Sequence, residues 1–213
     1  MSRCIIVSNG IITDYSYYKA KLLKNDYIIC ADGGIKHVIA MNTVPDLWLG
    51  DFDSCKFDDY IKSNPKLSDV ERITLNPIKD ETDTHYACIE AVKRGYNNIV
   101  IWGACGGRLD HMLSNINILE FLNRKNVTAC IQDEKNTIRI CNSTIDIKKE
   151  RKYLSILPLD SKALISKTQG LKYPLCNSFL YRDTSLGVSN EITGHYGSVS
   201  VESGIVLIIE SDD

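Results

Sequence analysis

The chain lacks a strong excess of either charge. Lys plus Arg number 25 and Asp plus Glu 27, for a formal net charge of −2. A generic nucleic-acid binder carries a basic surplus, so a role in coating a polyanion is excluded. Long hydrophobic runs are missing too. The N-terminal run Cys4-Ile5-Ile6-Val7 is too short for a signal-peptide core, and no segment approaches the roughly 20 apolar residues of a membrane span. Neither a leader nor a membrane partner is expected. The 8 cysteines are scattered and no two form a C-x-x-C pair, which reads as reduced thiols serving as small core residues in a cytoplasmic protein. Also absent are G-x-x-x-x-G-K-[S/T], G-x-G-x-x-G and G-x-S-x-G. Their absence disfavours a Walker-type phosphate loop, a typical dinucleotide fold and a serine-hydrolase elbow. No internal repeat and no low-complexity stretch interrupts the chain.

What remains is ordinary globular composition, 44% hydrophobic and 24% charged over 213 residues, which suits one large domain or two small ones. In the first part, short apolar runs alternate with helical spacing. The runs are Cys4 to Val7, Tyr27 to Cys30, Leu47 to Leu49, Val70 to Leu75, Asn98 to Trp102 and Val127 to Ile131. Leu109, Met112, Leu113, Ile116 and Leu119 repeat at helical spacing, and Ala87, Cys88, Ala91 and Val92 do so more weakly. Runs with little polar alternation suit strands buried on both faces, so residues 1–134 are expected to form an α/β domain with a mainly parallel, doubly wound sheet. Beyond Gln132 the helical period disappears. Short β-prone segments take over, among them Thr137 to Ile140, Tyr153 to Leu157, Ala163 to Ser166, Ser198 to Val201 and Ile205 to Ile209, punctuated by Gly and Asn. Residues 135–213 are expected to form a small antiparallel β domain, one that needs cover from the first domain or from a second copy of the chain.

Acidic and Gly-rich residues follow the strands of the α/β half, at the sheet edge where open α/β sheets bind ligands. The segments are Ala31-Asp32-Gly33-Gly34, Gly50-Asp51-Phe52-Asp53-Ser54, Lys79-Asp80-Glu81-Thr82-Asp83 and Gly103 through His111. Carboxylates two apart in an extended segment point the same way, so Asp51 and Asp53 can reach one hard cation such as Mg²⁺. An isolated D-x-D also suits a solvated turn that caps the next helix. Asp80 and Asp83, three apart in an expected first turn, can join that metal set or simply favour the helix dipole. Gly106 and Gly107 allow close backbone approach to a phosphate, and Arg108 can bind it bidentately; a tight turn with a surface Arg is the plainer alternative. His111 is expected to pack locally rather than ligate metal. Several carboxylates facing Lys79 and Arg108 fit a metal-bound nucleotide.

The ordered segments ADGG, PDLWLGDFDS, KDETD and GACGGRLDHMLSN, followed by QGLKYPL at 169–175 and GVSNEI at 187–192, resemble the thiamine pyrophosphokinase (thiamine diphosphokinase) family. The resemblance covers nearly the whole chain. It implies an α/β nucleotide-binding catalytic domain followed by a thiamine-binding β-sandwich, in a homodimer with thiamine near the subunit interface. It implies the reaction of ATP with thiamine to give AMP and thiamine diphosphate, with Mg²⁺. Carried over by motif, Asp51, Asp53, Asp80 and Asp83 are metal and phosphate residues. Asp32, Gly33, Lys79, Gly106, Gly107 and Arg108 are ATP-binding, and Arg108 and Asp110 belong to the active site. Ser189 and Asn190 contact the thiamine pyrimidine, Asn9 and Gly10 line the first strand end, and an aromatic among Tyr173, Phe179, Tyr181 and Tyr196 meets thiamine. In the expected mechanism the thiamine hydroxyl attacks the β-phosphorus, Lys79 and Arg108 neutralise the transferred group, and Asp110 orients or deprotonates the hydroxyl. Two other functions are compatible with the acidic edge alone: a metal-dependent nucleotide hydrolase, and a non-enzymatic nucleotide sensor.

Overall fold

The computed structural model describes residues 3–52 and 57–213. The chain divides into two compact units, Met1–Glu134 and Lys135–Asp213.

The first unit alternates strands and helices: β1 (Cys4–Val7), α1 (Tyr15–Lys21), β2 (Tyr27–Ala31), α2 (Ile35–Ala40), β3 (Leu47–Gly50), α3 (Phe57–Ser63), β4 (Glu71–Thr74), α4 (Asp83–Lys93), β5 (Asn98–Trp102), α5 (Leu109–Arg124) and β6 (Thr128–Gln132). Its strands stand in the order β4-β3-β2-β1-β5-β6, and every neighbouring pair is parallel. Strand residues alternate between the faces. Ile5, Val7, Ile28, Cys30, Trp48, Val100 and Trp102 share one face and bury Tyr18 of α1 with Ile35 and Val38 of α2. The intervening residues Ile6, Ile29, Leu47, Leu49, Ile99 and Ile101 are buried as completely, and α4 packs against β1, β2 and β3. Two covered faces explain why the central strands read as unbroken apolar runs.

The second unit holds β7 (Asn136–Cys141), β8 (Thr144–Lys148), β9 (Tyr153–Pro158), β10 (Lys162–Gln169), β11 (Cys176–Tyr181), β12 (Tyr196–Ser203) and β13 (Val206–Ser211). Antiparallel β13 pairs with β7 on one side and β9 on the other. A second antiparallel sheet runs β11-β10-β12-β8. Leu154, Ile156, Ile165, Leu180, Val199, Val206 and Ile208 from both sheets interdigitate in one core, the arrangement of a β-sandwich.

Some expectations shift. The helix expected over Leu109 to Leu119 runs on to Arg124, because Ile118, Leu119 and Leu122 continue its buried face. Helix α4 starts only at Asp83, where Thr82 caps it by accepting the His85 N–H at 3.2 Å. Asp80 therefore precedes the helix and does not share a helical face with Asp83. Among the described residues no helix is long and apolar enough to cross a membrane.

Candidate active site

Strand order reverses at β1, with β2 on one side and β5 on the other. Open α/β sheets bind ligands beyond the strand ends at such a switch point, and a crevice lies there. It is a cleft of about 560 Å³, walled by Ser8–Ile11, Asp32, Lys36, residues 81–84 with Lys79, Gly106-Gly107-Arg108 and Asn115.

Backbone hydrogen bonds stitch its two central arms together. The Ser8 N–H donates to Trp102 O at 2.9 Å and the Gly10 N–H to Gly103 O at 2.7 Å. A Cβ at Gly10 would stand 2.3 Å from that same oxygen, so only glycine permits this approach. Across the cleft Ser8 Oγ meets Thr84 Oγ1 at 2.9 Å. Behind the second arm, buried Asn115 donates to Ala104 O at 2.9 Å and ties α5 to the loop before it. Gly107 has φ of +69°, and nothing lies within 4 Å of where its Cβ would be. Its backbone is thus bare toward a ligand, as a phosphate cradle requires.

From β2, residues Asp32–Gly34 form a single 3₁₀ turn. Asp32 adopts φ of +43°, a costly conformation for a residue with a Cβ. It is held there by the indole N–H of fully buried Trp48, which donates to Asp32 O at 3.0 Å. Gly33 lies directly against the Asn9 side chain. After β3 comes half-buried Asp51, and the Phe52 ring packs edge-on to Trp48 at 5.1 Å between centroids.

The electrostatic centre is Lys79. Its Nζ lies 3.0 Å from Asp83 Oδ1 and 3.8 Å from Asp51 Oδ2, with all three side chains largely covered. Asp83 Oδ1 is itself buried. Burial pushes the Asp83 carboxyl above its ordinary value; Lys79 opposes this, while the charges of Asp32 and Asp51 add to the rise. Carboxylates that repel one another around a single ammonium suit a hard divalent cation. Among the described residues no three His, Cys, Asp or Glu gather closely enough to enclose a metal. Mg²⁺-type sites, however, use one or two carboxylates and complete the shell with substrate phosphates and water, so the donor set fits.

At the start of α5, Arg108 and Asp110 form a bidentate pair, Nε to Oδ1 at 3.1 Å and Nη2 to Oδ2 at 2.6 Å. The Arg108 guanidinium, then the His111 backbone N–H, hold the Asp110 carboxyl down at about 2. Both side chains of this pair are exposed.

In the second unit the segments 169–175 and 187–192 are bound together. Leu171 bridges Ile192, and the Lys172 N–H donates to Glu191 O at 2.9 Å. Asn190, buried at 3% exposure, accepts from the Tyr173 N–H at 3.0 Å and donates to Tyr173 O at 2.7 Å. Its side chain is thereby committed to clamping these segments. Ser189, at φ of +57°, is exposed.

Two family models match the chain: thiamin pyrophosphokinase, catalytic domain, over residues 18–131, and thiamin pyrophosphokinase, vitamin B1 binding domain, over residues 142–206. The chain belongs to the thiamine pyrophosphokinase family. A thiamine pyrophosphokinase of Bacillus subtilis is 30% identical over 191 residues, 87% of each chain. One from Caenorhabditis elegans is 25% identical over 204 residues, 89% of this chain and 81% of that one. The crystal structure of a Bacillus subtilis family member superposes with a TM-score of 0.89 at 27% identity, covering 100% of both chains. The yeast thiamin pyrophosphokinase shares the fold, with a TM-score of 0.80 at 19% identity over 99% of this chain and 86% of that one.

Of the residues the family motifs single out, Asp32, Lys79, Asp83, Gly106, Gly107 and Arg108 line the one cleft. Asp51 joins them through Lys79 and Gly33 through Asn9. Asp80 is exposed and not part of the cleft wall, and Asp53 lies outside the described residues. Sequence reasoning passed over Ser8, Lys36, Thr84 and Asn115 as wall residues. Asn115 left a trace there as the last letter of GACGGRLDHMLSN, and Ser8 stands in the strand-end segment Val7-Ser8-Asn9-Gly10; Lys36 and Thr84 belong to no pattern.

Proposed function

We propose that the chain transfers the pyrophosphoryl group of ATP to the hydroxyethyl oxygen of thiamine, releasing AMP and thiamine diphosphate, with Mg²⁺ as the metal. The observation that carries this reading is the switch-point cleft. Its wall carries Lys79, Arg108, Asp32 and Asp83 beside a bare glycine turn, in a chain that also bears the family's second domain.

Phosphoryl transfer of this kind needs in-line positioning and charge neutralisation more than covalent help. The glycine turn at Gly106-Gly107 admits the phosphates, and Arg108 approaches them in the plane that Asp110 sets. Lys79 exchanges its contacts with Asp83 and Asp51 for phosphate oxygens. Asp51 and Asp83, with Asp53 of the same motif, would hold the metal; Asp80 has no part in this proposal. Bound Mg²⁺ supplies charge neutralisation across the phosphates. The attacking hydroxyl belongs to thiamine, held near the subunit interface of a homodimer. Ser189 and the exposed rings of Tyr173, Phe179, Tyr181 and Tyr196 are available to it, while Asn190 keeps their supporting loops in place. A cytoplasmic setting suits the free thiols of Cys4, Cys88, Cys105, Cys141 and Cys176.

Purified protein given ATP and Mg²⁺ should release AMP only when thiamine is added. Phosphate release without thiamine would indicate the hydrolase instead, and no turnover the nucleotide sensor. In the same assay Asp83→Asn should lower kcat by about 10²-fold or more with the circular dichroism spectrum unchanged; undiminished turnover would remove Asp83 from the metal set.

A further inference from the structure

Behind the cleft lies a buried titratable side chain that the reaction does not use. His37 of α2 is 3% exposed. Its Nε2 lies 2.9 Å from Gly10 O and its Nδ1 lies 3.0 Å from the Tyr15 hydroxyl. A carbonyl oxygen only accepts, so Nε2 carries the proton; Nδ1 then accepts from Tyr15. Burial pushes the imidazole below its ordinary value, with Gly10 O pulling the other way, Lys36 reinforcing the fall and Glu134 opposing it.

The position of this contact gives it consequence. Gly10 is held at both of its backbone groups, its carbonyl by His37 and its N–H by Gly103 O. The next residue, Ile11, donates to Cys105 O at 3.2 Å. Helix α2 itself follows directly on the Asp32–Gly34 turn. One imidazole thus connects the strand ends of β1, β2 and β5, the three that wall the cleft around Asp32, Gly10 and Gly106.

We propose that His37 is a positioning residue for nucleotide binding: its neutral, Nε2-protonated ring holds the Gly10 carbonyl and so fixes the spacing of the two central arms of the cleft. The inference rests on the reading of this cleft as the ATP site. It adds a residue outside the acidic and glycine motifs, acting through backbone rather than touching substrate.

The test compares His37→Leu, which removes the donor, with His37→Gln, which restores an N–H at similar reach. Both are measured at a temperature where circular dichroism shows the variant fully folded. In His37→Leu the KM for ATP should rise about tenfold, and the Kd for ATP with Mg²⁺ by calorimetry should rise equally. The KM for thiamine should stay within about twofold, and His37→Gln should recover ATP affinity to within about threefold of the parent. Nitrogen NMR of the intact protein at pH 7.5 should show the His37 ring protonated on Nε2 alone. Unchanged ATP affinity in folded His37→Leu, equal loss toward both substrates, no recovery in His37→Gln, or an Nδ1-protonated or cationic ring would each overturn the proposal. Failure of the wild-type protein to release AMP with thiamine would overturn the assigned reaction instead, and the calorimetric ATP affinities would still decide the role of His37.

Discussion

Single polar residues in this chain do more than their neighbours in sequence would suggest. Glu134 is the clearest case. Its Oε1 accepts from the Thr13 N–H at 2.7 Å, the Thr13 hydroxyl at 3.0 Å and the Asp14 N–H at 2.8 Å, while Oε2 accepts from Tyr18 at 3.0 Å. Burial pushes this carboxyl up, but the backbone donors and Tyr18 outweigh it and hold it at about 2, against an ordinary value of 4.5. A carboxyl lowered on folding stabilises the native state above its unfolded value, and that contribution is lost as pH falls toward the folded value. The melting temperature of the wild-type protein should therefore drop between pH 4.5 and pH 2 more steeply than that of Glu134→Gln. Parallel curves in circular dichroism melts across that window would remove Glu134 as the cause. Nothing around position 134 in the sequence marks it: the partners of Glu134 lie 116 to 121 residues away. The acidic motif residues were legible as short Asp-bearing segments after strands, and the structure brings Asp51 and Asp83 to Lys79 with Asp32 in the same cleft wall. The spacing of Arg108 and Asp110 puts both at the start of one helix, and leaves open the bidentate pair they form there.

At the scale of elements, the parallel strands were the most readable part. Cys4–Val7, Tyr27–Ala31 and Asn98–Trp102 are buried on both faces, and two-sided burial leaves an unbroken apolar run. Helix starts were harder. The acidic stretch around Asp80 to Asp83 suits a first turn anywhere along it, and Thr82 decides the matter by capping α4 at Asp83. Replacing that cap, Thr82→Ala, should cost about 1 kcal/mol in urea unfolding. A change indistinguishable from zero would mean the helix start is held by packing alone. In the second unit, β8 and β11 were not singled out, because their exposed residues dilute the β signal. In Cys176–Tyr181 only Leu180 is buried, as expected of a strand at a sheet edge. The glycines and Asn190 that shape the loops between these strands were visible as punctuation; that Asn190 is a clamp was not.

For the molecule as a whole, composition and length allowed either one large domain or two small ones. The chain divides into two compact units, and their internal contacts follow different physics: helices covering a parallel sheet in the first, two sheets facing each other in the second. The second unit exposes Phe179 at 42%, Tyr181 at 47% and Tyr196 at 63%, aromatic surface that the proposed homodimer can cover. Sedimentation at micromolar concentration should accordingly give a species of about twice the chain's 23.9 kDa. A species of one chain's mass throughout would count against the homodimer.

The sequence by itself determined the alternation of strands and helices, the switch to antiparallel strands near residue 135, the collection of Asp and Gly residues at strand ends and the family that this order of motifs identifies. These are local properties, written in hydrophobic period, turn chemistry and spacing. Only the tertiary structure decided which motif residues face one cleft, that Asp80 lies outside its wall, and that His37, Asn115 and Glu134 hold the loops in place. Burial and hydrogen-bond partnership depend on neighbours brought together from distant parts of the chain, as with His37 and Gly10 across 27 positions or Tyr18 and Glu134 across 116, and no local pattern encodes such a meeting.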